Sequence, residues 1–255
     1  MPSVLAIAAH PDDIEFTMAG TLVLLARAGW SVHYFNLADG RCGSTEQNAD
    51  QTAMIRLGEA QAAADLIGAT FYPPICRDIE IHYDTQTLRC VAAVIRAAKP
   101  QIVLTHSPVD YMEDHEQACR LAVSATFVRG MTNFQTTPSE PIFDEPVTIY
   151  HAQPHGNRTP MGELIIPDQF VNITDVIAVK QSALEAHASQ QNWLHNSQGL
   201  NSYLQTMRDL AAEVGALSGK FSFAEGWRRH HHLGFSPPNA DPLVHALSNL
   251  VVVRS

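Results

Sequence analysis

Apolar residues along this chain fall into two periods. Short runs without alternation, at Ser3–Ala9, Trp30–Ala38, around Phe71 and at Gln101–His106, read as strands buried on both faces of a sheet. Between them apolar positions recur at helical spacing, from Ile14 to Gly29, from Thr52 to Gly68, after Asp84 as far as Pro100, and from Asp114 to Gly130. Pro11 suits a first helical position and Gly29 the residue just past a helix end. Residues 73–83 and the Pro/Thr-rich 131–146 read as loops, with later strands at Val147–Ala152 and Phe170–Thr174. Thr174 and Asp175 start a helix running toward Gln191, and another is expected over 201–217. Strand and helix in alternation imply right-handed βαβ units. The expected fold is therefore α/β and Rossmann-like, a mostly parallel sheet with helices on both faces. No repeat or low-complexity tract divides the chain, so residues 1–255 are expected to form a single domain.

Composition narrows the partners. Sixteen Lys and Arg stand against 26 Asp and Glu, a formal charge of −10, which argues against nucleic acid or an anionic membrane. No apolar stretch approaches the roughly 18 residues that span a bilayer. The N-terminus lacks a basic n-region and a small-residue cleavage site. The four cysteines follow no framework spacing, so reduced thiols and a cytoplasmic location are expected.

Chemistry concentrates where two strands end. In open α/β sheets ligands sit outside the carboxyl ends of the strands, at the point where strand order reverses. The first strand runs into "AHPDDIE" and the fourth into "SPVDYMEDH", two acidic segments that each carry a histidine. His10 and Asp13 are three apart across a helix start, a spacing that shares one face. Imidazole nitrogen with carboxylate oxygen suits Zn²⁺, whose catalytic sites have three protein ligands and an open position. His115 is the best-placed third ligand. Asp12 points to another side and is left for the proton of a metal-activated water. Iron(II) tolerates the same ligand set. The competing reading is helix capping, since carboxylates in a first turn favour the positive end of the dipole by about 0.3–1 kcal/mol each. Glu15 is expected to orient His10 or to cap the helix.

At these residues the chain resembles the PIG-L/LmbE-like zinc-dependent N-deacetylases. The resemblance rests on "AHPDDIE" after the first strand and extends through "ADGRCG", "RLGEAQAAADLIG", "THSPVDYMEDH", "KQSALEAHASQ" and "FAEGWRR". It implies one zinc held by His10, Asp13 and His115, with Asp12 as the base that activates water and then protonates the leaving amine. It also implies that Arg56 reaches into the substrate pocket, and that the partner is a small amino-sugar substrate with a homo-oligomeric protein around it. One departure stands out. The family commonly carries a histidine three residues before the distal ligand, to stabilise the tetrahedral intermediate, and here Met112 stands there. A thioether donates no hydrogen bond, and losing one such donor costs about 10²–10³ in rate. The change also leaves Asp114, expected behind the ligands, without its partner.

His155 and Arg158 in "YHAQPHGNRTP", with Tyr111 and His106, are the candidates to fill that role or to bind sugar hydroxyls. The three consecutive histidines His230, His231 and His232 are expected to form a pocket wall or subunit contact, because neighbours in a row rarely chelate one ion. The leading expectation is a metal-dependent hydrolase that removes an N-acyl group, acetyl in the simplest case, from an amino sugar or its conjugate. The rival is a metal-bearing carbohydrate-binding protein with little or no catalysis.

Overall fold

The computed structural model describes residues 1–191, 193 and 203–254. Eight strands form one sheet in the order β3-β2-β1-β4-β5-β7-β6-β8. The first five are parallel: β1 (Ser3–Ala8), β2 (Ser31–Asn36), β3 (Thr70–Tyr72), β4 (Ile102–Thr105) and β5 (Thr148–Ala152). Then β7 (Ala224–Arg229) runs antiparallel between β5 and β6 (Gln169–Asn172), and β8 (Val251–Val253) closes the edge antiparallel to β6. The parallel part matches the apolar runs, because strands buried on both faces show no alternation. β7 and β8 carry no such pattern. Glu225, Arg228 and Arg229 break any apolar run in β7, and β8 is only three residues long.

Helices cover both faces. On one, α2 (Ala19–Arg27), α3 (Ala49–Ile67), α6 (Ile177–Glu185) and α7 (Tyr203–Leu217) pack with Val4, Ala6, Tyr34, Tyr150 and Trp227. On the other, α4 (Thr85–Ala98) and α5 (Glu113–Phe127) pack with Leu5, Ile7, Phe35, Val103 and Ile149. Local signals set several ends. Asn48 and Gln51 close a capping box that starts α3 earlier than its apolar pattern does. Asp84 accepts from the Thr87 N–H at the head of α4. A last helix, α8 (Pro242–Leu247), starts under Asp241 and was not read from the sequence.

The single helix expected from Ile14 to Gly29 is two. α1 (Asp13–Thr17) ends at Met18, whose φ of −133° leaves the helical range, and α2 begins anew. The cause is remote in sequence. Glu225 on β7 accepts from the N–H groups of Gly20 (2.8 Å) and Thr21 (2.7 Å), serving as the cap for α2. Gly20 has no room for a side chain, since a Cβ would lie 2.6 Å from Ile173. Lys180 from α6 pairs with the same carboxylate, and both side chains are buried. The helix toward Gln191 likewise breaks at His187 and resumes at residue 188. Residues 201 and 202 of the helix expected over 201–217 lie outside the described residues.

Strand order reverses between β1 and β4, which are neighbours although β2 and β3 intervene in sequence. The carboxyl ends of these two strands deliver His10 and the 106–115 segment to one rim.

Candidate active site

Two strand ends and three loops build a cleft of about 540 Å³ at that rim. His10, Asp12, Asp13, Arg56, Tyr111, Met112, His115 and His155 all line it, with Phe16, Asp78, Ile79 and Tyr203. A second hollow of about 580 Å³, lined by Trp30, Gln101, Thr148 and His245, sits at the opposite end of the strands. Among the described residues no cluster of metal-ligating groups falls there.

His10, Asp13 and His115 place their ligand atoms within 4.8 Å of one another. Asp13 sits between the rings, with Oδ2 3.4 Å from His10 Nδ1 and Oδ1 3.3 Å from His115 Nε2. The outer ring nitrogens face other carboxylates: His115 Nδ1 is 2.9 Å from Asp110, and His10 Nε2 is 3.1 Å from Asp114 and 3.2 Å from Asp78. A carboxylate on the outer nitrogen holds the proton there and leaves the inner lone pair pointing at the Asp13 side. His106 stacks on His115 with ring centroids 4.2 Å apart, but its Nε2 accepts the Ala9 N–H, so that lone pair is spent. The set therefore fits a divalent cation, two imidazole nitrogens and one carboxylate oxygen converging from a fixed outer shell.

Electrostatics point the same way. Burial opposes charge on His115, yet Asp13 and Asp110 outweigh it and hold the ring up to about 9. At His10 burial is likewise outweighed, by Asp114, Asp13 and Asp78, and the ring rises well above the usual range. Burial works against the Asp13 carboxylate, but His115 and His106 pull it well below its usual range. A pocket that draws protons onto two buried imidazoles also favours a cation that displaces them.

Asp12 occupies the turn between β1 and α1 at φ 103°, a left-handed conformation uncommon outside glycine. Its Oδ2 accepts the Tyr203 hydroxyl, and its Oδ1 lies 3.6 Å from Arg56. Burial, with Asp13 next to it, raises the carboxyl above its usual range against the pull of Arg56 and His187. Arg56 is 3% exposed and donates to the carbonyls of Pro11 and Gly40. Gly40 is required for that approach, since a Cβ would lie 2.5 Å from the guanidinium.

Two expected residues stand elsewhere. Arg158 faces away from the cleft and pairs with Glu213 at 2.7 Å, because the turn at Gly156 directs it toward α7. Glu15 neither orients His10 nor caps a helix. It is fully buried in the first turn of α1, accepting from the Tyr34 hydroxyl at 3.1 Å and lying 3.3 Å from His187. Asp114 has a partner after all, bridging His10 and the Ile79 N–H (2.9 Å). His155 and Tyr111 remain on the wall, with ring centroids 5.8 Å apart. His230 lies just past the end of β7, and His231 and His232 contact each other beyond it. Asp78, Asp110 and Tyr203 were not singled out in the sequence. Asp110 lay inside an acidic segment already chosen, whereas Asp78 and Tyr203 carry no local signal.

His151 lies behind the cleft, its Nδ1–H donated to the His106 carbonyl and its Nε2 2.9 Å from His230. Burial pushes the ring down to about 4, against 6.5 for an imidazole in water. Between those values the unfolded chain binds more protons, so this residue's contribution is full above pH 6.5 and is lost as pH falls toward 4. Denaturant unfolding of the wild type and His151→Asn across pH 4–7 should show the wild type losing about 3 kcal/mol relative to the variant over that range. Parallel pH profiles would place the proton elsewhere.

Comparison with known proteins identifies the family. The family profile described as PIG-L, GlcNAc-PI de-N-acetylase, matches residues 5–126. The diacetylchitobiose deacetylase of Thermococcus kodakarensis is 30% identical over 241 residues, covering 88% of this chain and 82% of that protein. The chain belongs to the PIG-L family. Another relative is the 4-oxalmesaconate hydratase of Pseudomonas putida, 30% identical over 198 residues, with 74% of each chain covered. Among solved structures, the N,N'-diacetylchitobiose deacetylase of Pyrococcus horikoshii superposes with a TM-score of 0.76 at 24% identity, over 94% of this chain and 88% of that one. All three ligand candidates of this PIG-L chain, and Asp12, fall inside the matched segment; Tyr203 falls outside it.

Proposed function

We propose that this protein is a zinc-dependent hydrolase that removes an N-acyl group from an amino sugar or amino-sugar conjugate. The observation that carries the reading is a buried carboxylate, Asp12, beside a separate ligand set of His10, Asp13 and His115 in one cleft. Zinc bound by those three supplies Lewis acidity to the amide carbonyl and acidifies water. Asp12 takes the proton of the attacking water and returns it to the amine nitrogen as the C–N bond breaks, so carboxylate and amine depart. Tyr203 and Arg56 hold the Asp12 carboxylate in place, each from a different oxygen. Tyr111, His155 and Phe16 offer aromatic faces and polar edges to a sugar ring.

A hydratase in the same family makes water addition to a carbon–carbon double bond the rival chemistry. A carboxylate-rich substrate of that kind needs cations to meet it. Among the described lining residues Arg56 is the only permanent cation, and it is committed to Pro11, Gly40 and Asp12. Asp12, Asp13 and Asp78 make the cleft acidic, which suits a neutral amide. The deciding experiment loads purified protein with zinc and assays acetate release from N-acetylglucosamine, diacetylchitobiose and N-acetylglucosaminyl conjugates. Zinc-dependent release from at least one is expected. No release across the panel, with loss of double-bond absorbance from an unsaturated tricarboxylate, would replace this reading with the hydratase.

A further inference from the structure

Ile79 is held in an unfavourable place. Its φ of 64° lies in the left-handed region, where a β-branched residue is a genuine outlier. Its N–H donates to Asp114, the carboxylate on His10, which fixes the backbone there. Glycine would satisfy that backbone without strain, yet the position carries a large apolar side chain, 57% exposed on the cleft wall. Beside it, at the turn into α5, stand Tyr111, 60% exposed with its ring edge-on to His115 at 5.4 Å, and half-buried Met112. These three line the same cleft and bring no formal charge to it.

Contacts around the rim place this wall away from Asp12. One way round, Asp12 touches Tyr203, Tyr203 packs on Phe16, Phe16 on His155, and His155 on Tyr111. The other way, Asp12 faces Arg56, whose guanidinium crowds Gly40 and Gly43; Cys42 then donates to Asp78, the neighbour of Ile79. An amide carries its acyl and amine substituents on opposite sides of the carbonyl carbon. With the amine at Asp12, the acyl chain lies against Ile79, Met112 and Tyr111.

We propose that this wall is an acyl subsite, that Ile79 determines its specificity, and that the protein prefers N-acyl groups longer than acetyl. The proposal rests on the N-deacylase reading above. Full burial of a methylene is worth roughly fourfold in kcat/KM. The experiment measures kcat/KM of the zinc-loaded protein on N-acetyl-, N-butyryl- and N-hexanoylglucosamine by detection of the free amine. A rise of about two- to fourfold per methylene is expected in the wild type. In Ile79→Gly and Ile79→Asn, both compatible with positive φ, the rise should flatten while the melting temperature does not fall. Two variants guard against an accident of folding in either one. A wild type that hydrolyses the acetyl compound but slows with chain length would overturn the subsite and leave the deacylase reading standing. An unchanged slope in both variants would remove Ile79 from the role. No amine released from any of the three, nor acetate from the N-acetyl conjugates above, would remove the deacylase reading and the subsite together.

Discussion

Asp12→Asn should retain the metal and the fold while losing about 10²–10⁴ of kcat, the range for removing a general base. The substitution is a fair one for this position. Asparagine is among the few residues enriched at positive φ, so the turn at 103° accepts it. It also keeps an oxygen to receive the Tyr203 hydroxyl, leaving the contact with α7 intact. What it lacks is a site for the proton of the attacking water. Metal content by mass spectrometry and the unfolding midpoint should match the wild type, and turnover should not. Equal turnover in the two proteins on an accepted substrate would remove Asp12 from the mechanism. Binding of the sugar without turnover in the wild type itself would instead favour the carbohydrate-binding rival.

Lys180→Met should cost about 3–5 kcal/mol, the range for leaving a buried charge without its partner. Lys180 and Glu225 are buried at 1% and 3% side-chain exposure, and the shape of methionine fills most of the lysine stem. Glu225 keeps the two N–H donors of α2, so the loss is expected toward the lower end. Denaturant midpoints report it directly, with the slope unchanged if the native state stays compact. Replacing both residues, Lys180→Met with Glu225→Leu, should recover part of the loss but not the helix cap. A single-variant loss below about 1 kcal/mol would mean that water reaches the pair.

The parts of this molecule legible in its sequence are those governed by neighbours in the chain. The parallel strands announce themselves as apolar runs, and α4 announces itself through Asp84. The triad is legible because the ends of β1 and β4 carry it and the fold class places those ends together. What escaped depends on residues far away. The break at Met18 requires Glu225, and nothing in the 14–29 pattern hints at it. Arg158 looked available in its loop, but its fate is set by Glu213 on another helix. Glu15 is expected to orient His10 or to cap the helix, whereas the first turn of α1 aims it inward at Tyr34 and His187. Met112 is likewise only half explained by its neighbours: it immediately precedes α5, and the fold sets it on the cleft wall with Ile79.

The Glu225 staple bears on how the site is made in a cell. The proposed ligands and base all lie within the first 126 residues, where the family profile matches. Yet the helix beside them is capped by a residue 205 positions later, and the base is held by a tyrosine 191 positions away. Contacts of such long sequence separation close late during folding. A nascent chain paused before β7 therefore carries a complete set of ligands on an unfinished frame. Its affinity for zinc should appear in two stages, weak while the ribosome still holds the carboxyl third and tight only after release.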